Sequence, residues 1–472
     1  MMMKLYSKIL ITLLVTSLSL NGAFAFSFHK NPDKAKNVEK VKNDEYEKAP
    51  FTNDVHSVFS LEDCVNNAVK YNHSIKAAVY NEDVYKSKIG QAWAGYFPTL
   101  TAGVDFSRTS NHYKGAMSYA SMHNNLGYLP MVSAQMLLFD FGKIKATADS
   151  AKKSYEASKE DTKENINDII YKIKSTYFNI LYAQAAVRVY EDTVKDYELQ
   201  LEQAWGFYRL GKKPKLDVVT AEYNLGKAKL DLVEAKNELE VAKVKLSKIM
   251  GAPEYVNYEL SDDLSIKKFE YTADEVIAKA MEVRPELISA YKSLEAAKLS
   301  LRAARRNFAP DLNLSGSYGN GLGDEYDVVA AKIGVDLKYE SVNFARVKKQ
   351  FDEAKATYKR TLAQYNEVKD DVYYNVKKTY LELQTSRDAI VIAKLALDEA
   401  KEQYRQVLGR YKAGVGDAIE LKDGENTYLN ARLDFYSTVL NYNVTAAELE
   451  KEIGVPIIFS DENILDIPKE QL

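Results

Sequence analysis

Residues 208–253 read YRLGKKPKLDVVTAEYNLGKAKLDLVEAKNELEVAKVKLSKIMGAP, and residues 411–456 read YKAGVGDAIELKDGENTYLNARLDFYSTVLNYNVTAAELEKEIGVP. Both stretches open with Tyr-x-x-Gly and close with Gly-x-Pro, and the register between them is constant. Acidic positions match as well, for example Glu222 with Glu425. Shared punctuation at both ends indicates a duplicated chain, in which each half predicts the structure of the other.

The beginnings of the two halves also match. Residues 96–100 (YFPTL) correspond to residues 308–312 (FAPDL). Because proline disfavours helix at and before its own position, the proline in each segment should end a preceding helix. We predict opening helices over about residues 60–93 and 272–306, with the apolar spacing of amphipathic helices.

Strand patterns follow each opening helix. We predict strands at about residues 99–107 and 131–139 in the first half, and at about 311–319 and 330–339 in the second. Apolar and polar residues alternate along these runs, which is typical of a strand with one face in lipid and one in water. Each run has about the length that a tilted strand needs to cross a membrane. The alternative is a soluble pair of β-hairpins that caps a coiled coil.

Four membrane strands cannot close a barrel by themselves. Open edges in lipid would leave backbone N–H and C=O groups unpaired, and the smallest common membrane barrels have about eight strands. We therefore predict a homotrimer that shares one barrel of about twelve strands.

Very long helices are the third element of each half. Neither Gly nor Pro occurs from Ile144 to Trp205 or from Val335 to Leu408. A helix over residues 143–210 would be about 100 Å long. Its apolar residues, such as Ile166, Ile170 and Ile173, follow a spacing close to a heptad, which favours coiled-coil packing. Shorter partner helices are predicted at about 216–250 and 419–453. The set can form a hollow cylinder, whereas the alternative is a filamentous coiled coil.

The ends of the chain have their own patterns. Residues 1–25 carry a charged start, a short apolar run and an Ala-x-Ala site, so we predict a signal peptide and an exported protein. Residues 26–57 are rich in charge and predict a flexible arm. The two repeats are assigned to residues 58–257 and 258–460, and a tail to 461–472. Cys64 is the only cysteine, so we expect a small buried residue rather than a disulfide.

The order of these elements resembles the TolC family of outer-membrane efflux proteins. The resemblance covers about residues 58–460 and is carried by the duplicated halves, by residues 137–142 (LLFDFG) and by the paired Tyr-x-x-Gly turns. It implies a mainly α fold with a small β part, in which a trimeric 12-stranded barrel lies in the outer membrane and an α-helical tunnel in the periplasm. It also implies a passive exit duct of an efflux or type I secretion system, with a periplasmic adaptor and an inner-membrane pump as partners. Residues 339–342 (YESV) depart from the family pattern, which predicts a local change at the junction of barrel and tunnel.

The resemblance also assigns candidate gate residues. The turns at Gly211 and Gly414 would form the periplasmic tip, where Lys212 and Gly416 would also meet the adaptor. Glu420 and Asp423 match acidic positions that form a ring at the tunnel constriction, although a solvated helix face is the open alternative.

A closed-state latch is implied for Tyr411 with Asp217. The family's basic partner on that turn is missing because Gly416 stands in its place, and Lys412 could supply the charge. Lys212, Lys213 and Lys215 beside the first turn are interpreted as a solvated cluster, with contact to an acidic adaptor as the alternative.

Other classes of function lack support in the sequence. The net charge is −3 with acids and bases interspersed, so no nucleic-acid surface is expected. No catalytic constellation, metal-ligand spacing or phosphate-binding loop is found, so we predict no enzyme activity, no cofactor and no metal. His112 and His123 are expected in an outer loop, as is the glycine-rich stretch 319–323. The runner-up is a structural coiled-coil protein of the cell envelope.

Overall fold

The computed structural model of the protein describes residues 57–111, 123–252, 258–261, 266–269, 271–322, 327–339, 344–456 and 460–463. The predicted order of helices and strands is confirmed in both halves. The first half contains α1 (Leu61–Tyr71), α2 (His73–Trp93), β2 (Thr99–Asn111), β3 (His123–Phe139), α3 (Lys143–Arg209) and α4 (Lys215–Met250). The second contains α5 (Ala273–Val283), α6 (Pro285–Arg306), β6 (Asp311–Leu322), β7 (Asp327–Lys338), α7 (Phe344–Lys412) and α8 (Ala418–Ile453).

Four short strands accompany the two halves. Strand β1 (Ser57–Phe59) pairs in parallel with β4 (Tyr258–Leu260), and β5 (Lys267–Lys268) pairs antiparallel with β8 (Ser460–Asn463). The predicted signal peptide and nearly all of the predicted arm lie outside the described residues. The predicted tail begins inside β8.

The opening helices are broken, whereas the sequence patterns predicted each as continuous. Asn72 lies between α1 and α2, and its side-chain oxygen accepts hydrogen bonds from the backbone of Ser74 and Ile75. An Asn side chain that caps a new helix competes with the backbone bonds of the old one, so the helix restarts. In the second half the break falls at Arg284, because Pro285 has no N–H to continue the helix and suits its first turn.

The four long strands form a single antiparallel sheet in the order β2-β3-β6-β7. They are longer than predicted, and His123 begins β3 instead of lying in a loop. His112 lies outside the described residues. Gly319 and Gly321, which were predicted in an outer loop, lie in β6, and Gly323 lies outside the described residues. A Cβ on Gly321 would lie 2.0 Å from the carbonyl oxygen of Tyr128, so the crossing of β3 needs glycine there.

The long helices α3 and α7 have 67 and 69 residues, which corresponds to about 100 Å each. Gly142 is the N-cap residue of α3 and has a φ of 81°. It lies two residues after Asp140, whose carboxylate is buried. That carboxylate accepts hydrogen bonds from the backbone N–H groups of Gly142 and Ile144 and from the hydroxyl of Tyr96. The LLFDFG passage therefore ends β3 and begins α3. Of its counterpart at residues 339–342, all but Tyr339 lie outside the described residues, so the predicted change at the junction stays a prediction.

The main hydrophobic core lies where the short helices α1 and α5 pack against the long pairs. Cys64 is fully buried there, as predicted, together with Tyr177, Tyr442 and Leu449. Helix α1 thus packs against the α3–α4 pair, and α5 packs against the α7–α8 pair. Among the described helices, none combines the length and apolar composition needed to cross a bilayer.

Candidate functional site at the helix turns

The two turns that join the long and medium helices have the same backbone geometry. After α3, Gly211 has a φ of 69°, the N–H of Gly211 donates to Tyr208 O and the N–H of Lys212 donates to Phe207 O, both at 2.9 Å. After α7, Gly414 has a φ of 78°, and the N–H groups of Gly414 and Val415 make the corresponding bonds to Tyr411 O and Arg410 O. These are Schellman caps, which need a left-handed residue and so explain both glycines. Gly211, Lys212 and Gly414 are exposed at these turns.

Tyr411 is buried between the two turns, with 3% of its surface exposed. Its ring packs edge-on against Phe207 with centroids 6.0 Å apart. Burial raises the pKa of Tyr411, and the charges of Asp217 and Asp417 raise it further. The phenol therefore stays protonated and can act as a hydrogen-bond donor.

Lys213 joins the first turn to the second. Its Nζ donates to the carbonyl oxygen of Gly416 at 3.2 Å, lies 3.9 Å from Asp217 Oδ2 and stands 5.8 Å from the centre of the Tyr411 ring. The side chain is 21% exposed, so the solvated interpretation was wrong for Lys213, whereas Lys212 and Lys215 are exposed. Lys213 thus brings a positive charge to the place where the sequence pointed to Lys412.

Gly416 is buried rather than presented at the tip. A Cβ at this position would lie 2.8 Å from the backbone nitrogen of Tyr411, which is closer than real Cβ contacts allow. The absence of a basic side chain here is therefore a packing requirement. The close approach also leaves the carbonyl of Gly416 within reach of Lys213.

The two acidic candidates lie one turn apart at the start of α8. Glu420 accepts a hydrogen bond from Arg410 at 2.5 Å, and this ion pair is partly exposed. Asp423 is exposed. Sequence reasoning missed Arg410, which offsets the charge of Glu420 and leaves Asp423 as the stronger candidate for a free carboxylate facing water.

A buried polar cluster lies just beyond the acidic pair. Glu425 is 3% exposed, and its Oε2 accepts a hydrogen bond of 2.7 Å from Gln200 Nε2 of α3. Burial raises the pKa of Glu425 to about 7, and its charge contributes to raised pKa values of Tyr197 and Tyr404. The match of Glu222 with Glu425 marked the position in the sequence, but its burial follows from the packing of α8 on α3 and was not foreseen.

The arrangement is one of helix caps, ion pairs and hydrogen bonds. Within the described ranges there is no cluster of His, Cys, Asp and Glu side chains that could hold a metal ion. These contacts link the two turns, and Lys212 and Lys215 leave exposed charges beside them.

Comparison with known proteins identifies the family to which the sequence is similar. Residues 64–252 and 276–455 match the family described as outer membrane efflux protein. The toluene efflux pump outer membrane protein TtgC of Pseudomonas putida is 22% identical over 423 residues, which cover 84% of this chain and 83% of TtgC. The outer membrane protein TolC of Vibrio cholerae is 26% identical over 339 residues, 68% of this chain and 74% of that protein.

Solved structures share the fold. The open state of the Neisseria gonorrhoeae MtrE outer membrane channel superposes with a TM-score of 0.67 at 23% identity, covering 84% of this chain and 89% of MtrE. A structure of CusC superposes with a TM-score of 0.72 at 17% identity, covering 84% of this chain and 92% of CusC.

Proposed function

This chain belongs to the outer membrane efflux protein family, and from that premise we propose that three copies form an exit duct whose closed state depends on the contacts between the two helix turns. The protein is a channel subunit of an efflux system in the outer membrane, with its helical tunnel in the periplasm. The structural coiled-coil alternative is not favoured.

The observation that carries the proposal is the open sheet. Strands β2 and β7 lie at its two edges, and large apolar side chains project from both: Leu100, Phe106, Ile333 and Leu337 are each more than two-thirds exposed. An apolar sheet with unpaired edges is stable in lipid only when the edges are joined to others. Pairing of β7 with β2 of the next copy, repeated three times, gives twelve strands.

The power for transport would come from partners. We assign adaptor binding to the exposed part of the turns, at Gly211, Lys212 and Gly414. The buried Gly416 would contribute indirectly, because its carbonyl accepts the hydrogen bond from Lys213. An inner-membrane pump would supply the energy, and the channel would be passive. Binding of the adaptor would favour the open form by its greater affinity for separated turns.

Closure would rest on two features of the turns. Lys213 lies near both Asp217 and the Tyr411 ring, and its bond to the Gly416 carbonyl ties the α3–α4 turn to the α7–α8 turn. Asp423, with Glu420 partly neutralised by Arg410, would line the constriction and select for cations.

Conductance in planar bilayers tests the proposal. The double variant with Tyr411→Phe and Asp217→Ala should conduct more than the wild-type trimer, because Lys213 loses its ion pair with Asp217 and the Tyr411 phenol is no longer available as a donor. Unchanged conductance would remove the latch from the account. A protein that never conducts and that leaves the membrane fraction with salt alone would instead support the structural alternative.

A further inference from the structure

The two long helices are covered unequally within one chain. Helix α3 packs against α2 and α4 of its own repeat and against α6 and α8 of the other, whereas α7 packs against α5, α6 and α8 of its own repeat. The constant shift in residue number between the two repeats, which aligns Tyr208 with Tyr411, also aligns Val189 with Ile392. Val189 is 0% exposed and Ile392 is 67% exposed. An apolar position that is buried on α3 is therefore uncovered at the matching place on α7.

The same shift relates the two helices structurally and not only in sequence. Three pairs of residues that it connects are buried in both helices: Ile169 with Val372, Ile173 with Val376, and Ile180 with Leu383. All six residues belong to the main hydrophobic core, so matching positions of α3 and α7 face that core and the two helices have the same rotation relative to it. The remaining faces of the two helices must then correspond as well.

The residues of one contact between the two repeats have counterparts that do not meet within the described chain. Nζ of Lys451, on α8, lies 2.7 Å from Asp168 Oδ1 and 5.7 Å from the centre of the Tyr171 ring, both on α3. The shift takes Asp168 to Asp371 and Tyr171 to Tyr374 on α7, and it takes Lys248 on α4 to Lys451. All three copies have the same residue types, and all three are exposed.

A second contact repeats in the same way. Gln200 on α3 donates to Glu425 on α8, and both are buried. Their counterparts are Gln403 on α7 and Glu222 on α4, again with identical residue types and again exposed. The residues for two separate polar contacts thus occur twice in the sequence, whereas among the described residues each contact is made once.

We propose that α4 of one copy packs along α7 of a neighbouring copy as α8 packs along α3 within a chain. Lys248 then meets Asp371 and Tyr374 of the neighbouring copy, and Glu222 meets its Gln403. The inference rests on the proposed trimer and specifies its tunnel interface. The two contacts lie about 40 Å apart along α4, so together they fix the register between copies.

A second copy of this chain is the occupant that the surface fits. Lys248 on α4 and Asp371 on α7 are oppositely charged and both exposed, and the same charged contact is made within the chain by Lys451 and Asp168. Large apolar side chains are exposed on both helices as well: Leu230 and Val233 on α4, and Ile392 on α7. A cyclic assembly joins such non-identical faces head to tail and closes on itself.

Thiol cross-linking of the full-length protein in detergent tests the register. In a Cys64→Ala background, Lys248→Cys with Asp371→Cys should give covalent dimers and trimers with a short bismaleimide. The matched pair Asp168→Cys with Lys451→Cys should react within one chain, without a change of mass. Lys248→Cys with Gln403→Cys is the register control and should stay unlinked.

Charge reversal provides a second measurement that does not depend on cysteines. Lys248→Glu and Asp371→Lys should each lower the temperature at which the trimer dissociates, and their combination should restore it. A double variant no more stable than the single variants would overturn the pairing.

The failures can be told apart. A trimer that conducts but forms no Lys248–Asp371 link overturns the proposed interface and leaves the function intact. A monomer without conductance overturns both. Links to a protein of different mass would assign the face to another partner and also overturn the proposal.

Discussion

Replacing Lys213 by methionine should open the duct. The change keeps most of the side-chain volume but removes the hydrogen bond to the Gly416 carbonyl, the weak ion pair with Asp217 and the charge over the Tyr411 ring. A hydrogen bond to a charged group contributes about 1.5–3 kcal/mol, and a partly exposed site lies at or below the low end, so we take about 1 kcal/mol per copy. Three independent copies give about 3 kcal/mol, which shifts the closed-to-open ratio about a hundredfold.

Single-channel recording in planar bilayers measures this shift. Lys212→Met is the matched control, because Lys212 carries the same charge on the same turn but is exposed. Lys213→Met should have a higher open fraction than the wild type, and Lys212→Met should have the same open fraction as the wild type, with both proteins still trimeric. Equal behaviour of the two variants would refute the role of Lys213 as a link between the turns.

Three other changes test the packing. Glu425→Gln should stabilise the trimer by about 1–3 kcal/mol per copy at pH 8 and change it little at pH 4: the folded pKa of about 7 lies above the usual 4.5, so the wild type loses stability as the pH rises from about 4.5 to about 7. Urea unfolding of wild type and variant at both pH values checks this, and equal pH slopes would contradict it. Gly416→Ala should destabilise the turn by about 1–3 kcal/mol because its Cβ meets backbone, whereas Gly409→Ala, with open space around the Cβ, should not; limited proteolysis at the tip compares them. Arg284→Ala should cost about 3–5 kcal/mol because it leaves the buried carboxylate of Glu452 without its partner, while Arg387→Ala, in an exposed pair, should stay within about 0.5 kcal/mol in the same unfolding assay.

The fold was readable from the sequence because its signals are local and occur twice. The glycines at 211 and 414 mark Schellman caps, and their spacing from the closing Gly-x-Pro groups gives the medium helices almost to the residue. The helix break at Asn72 was missed because a single Asn within a helical pattern carries no strong local signal. Its side-chain amide also donates to the backbone carbonyl of Ile249 on α4, a contact between distant residues that no local pattern indicates.

The chemistry of the turns was harder to predict because it depends on distant residues. Lys213 and Gly416 are far apart in sequence and meet only after both repeats fold side by side. The ion pair of Arg410 with Glu420 crosses a turn whose backbone path determines which charges meet. The burial of Glu425 likewise depends on where α8 crosses α3.

The mass of the detergent-solubilised particle tests the central claim most directly, since an open four-stranded sheet with apolar faces needs neighbours to close it. Native mass spectrometry of the protein extracted from the outer membrane should show three copies per particle, and the particle should lose its integrity when detergent is removed. A single dominant species of one copy, stable in plain buffer, would contradict the account.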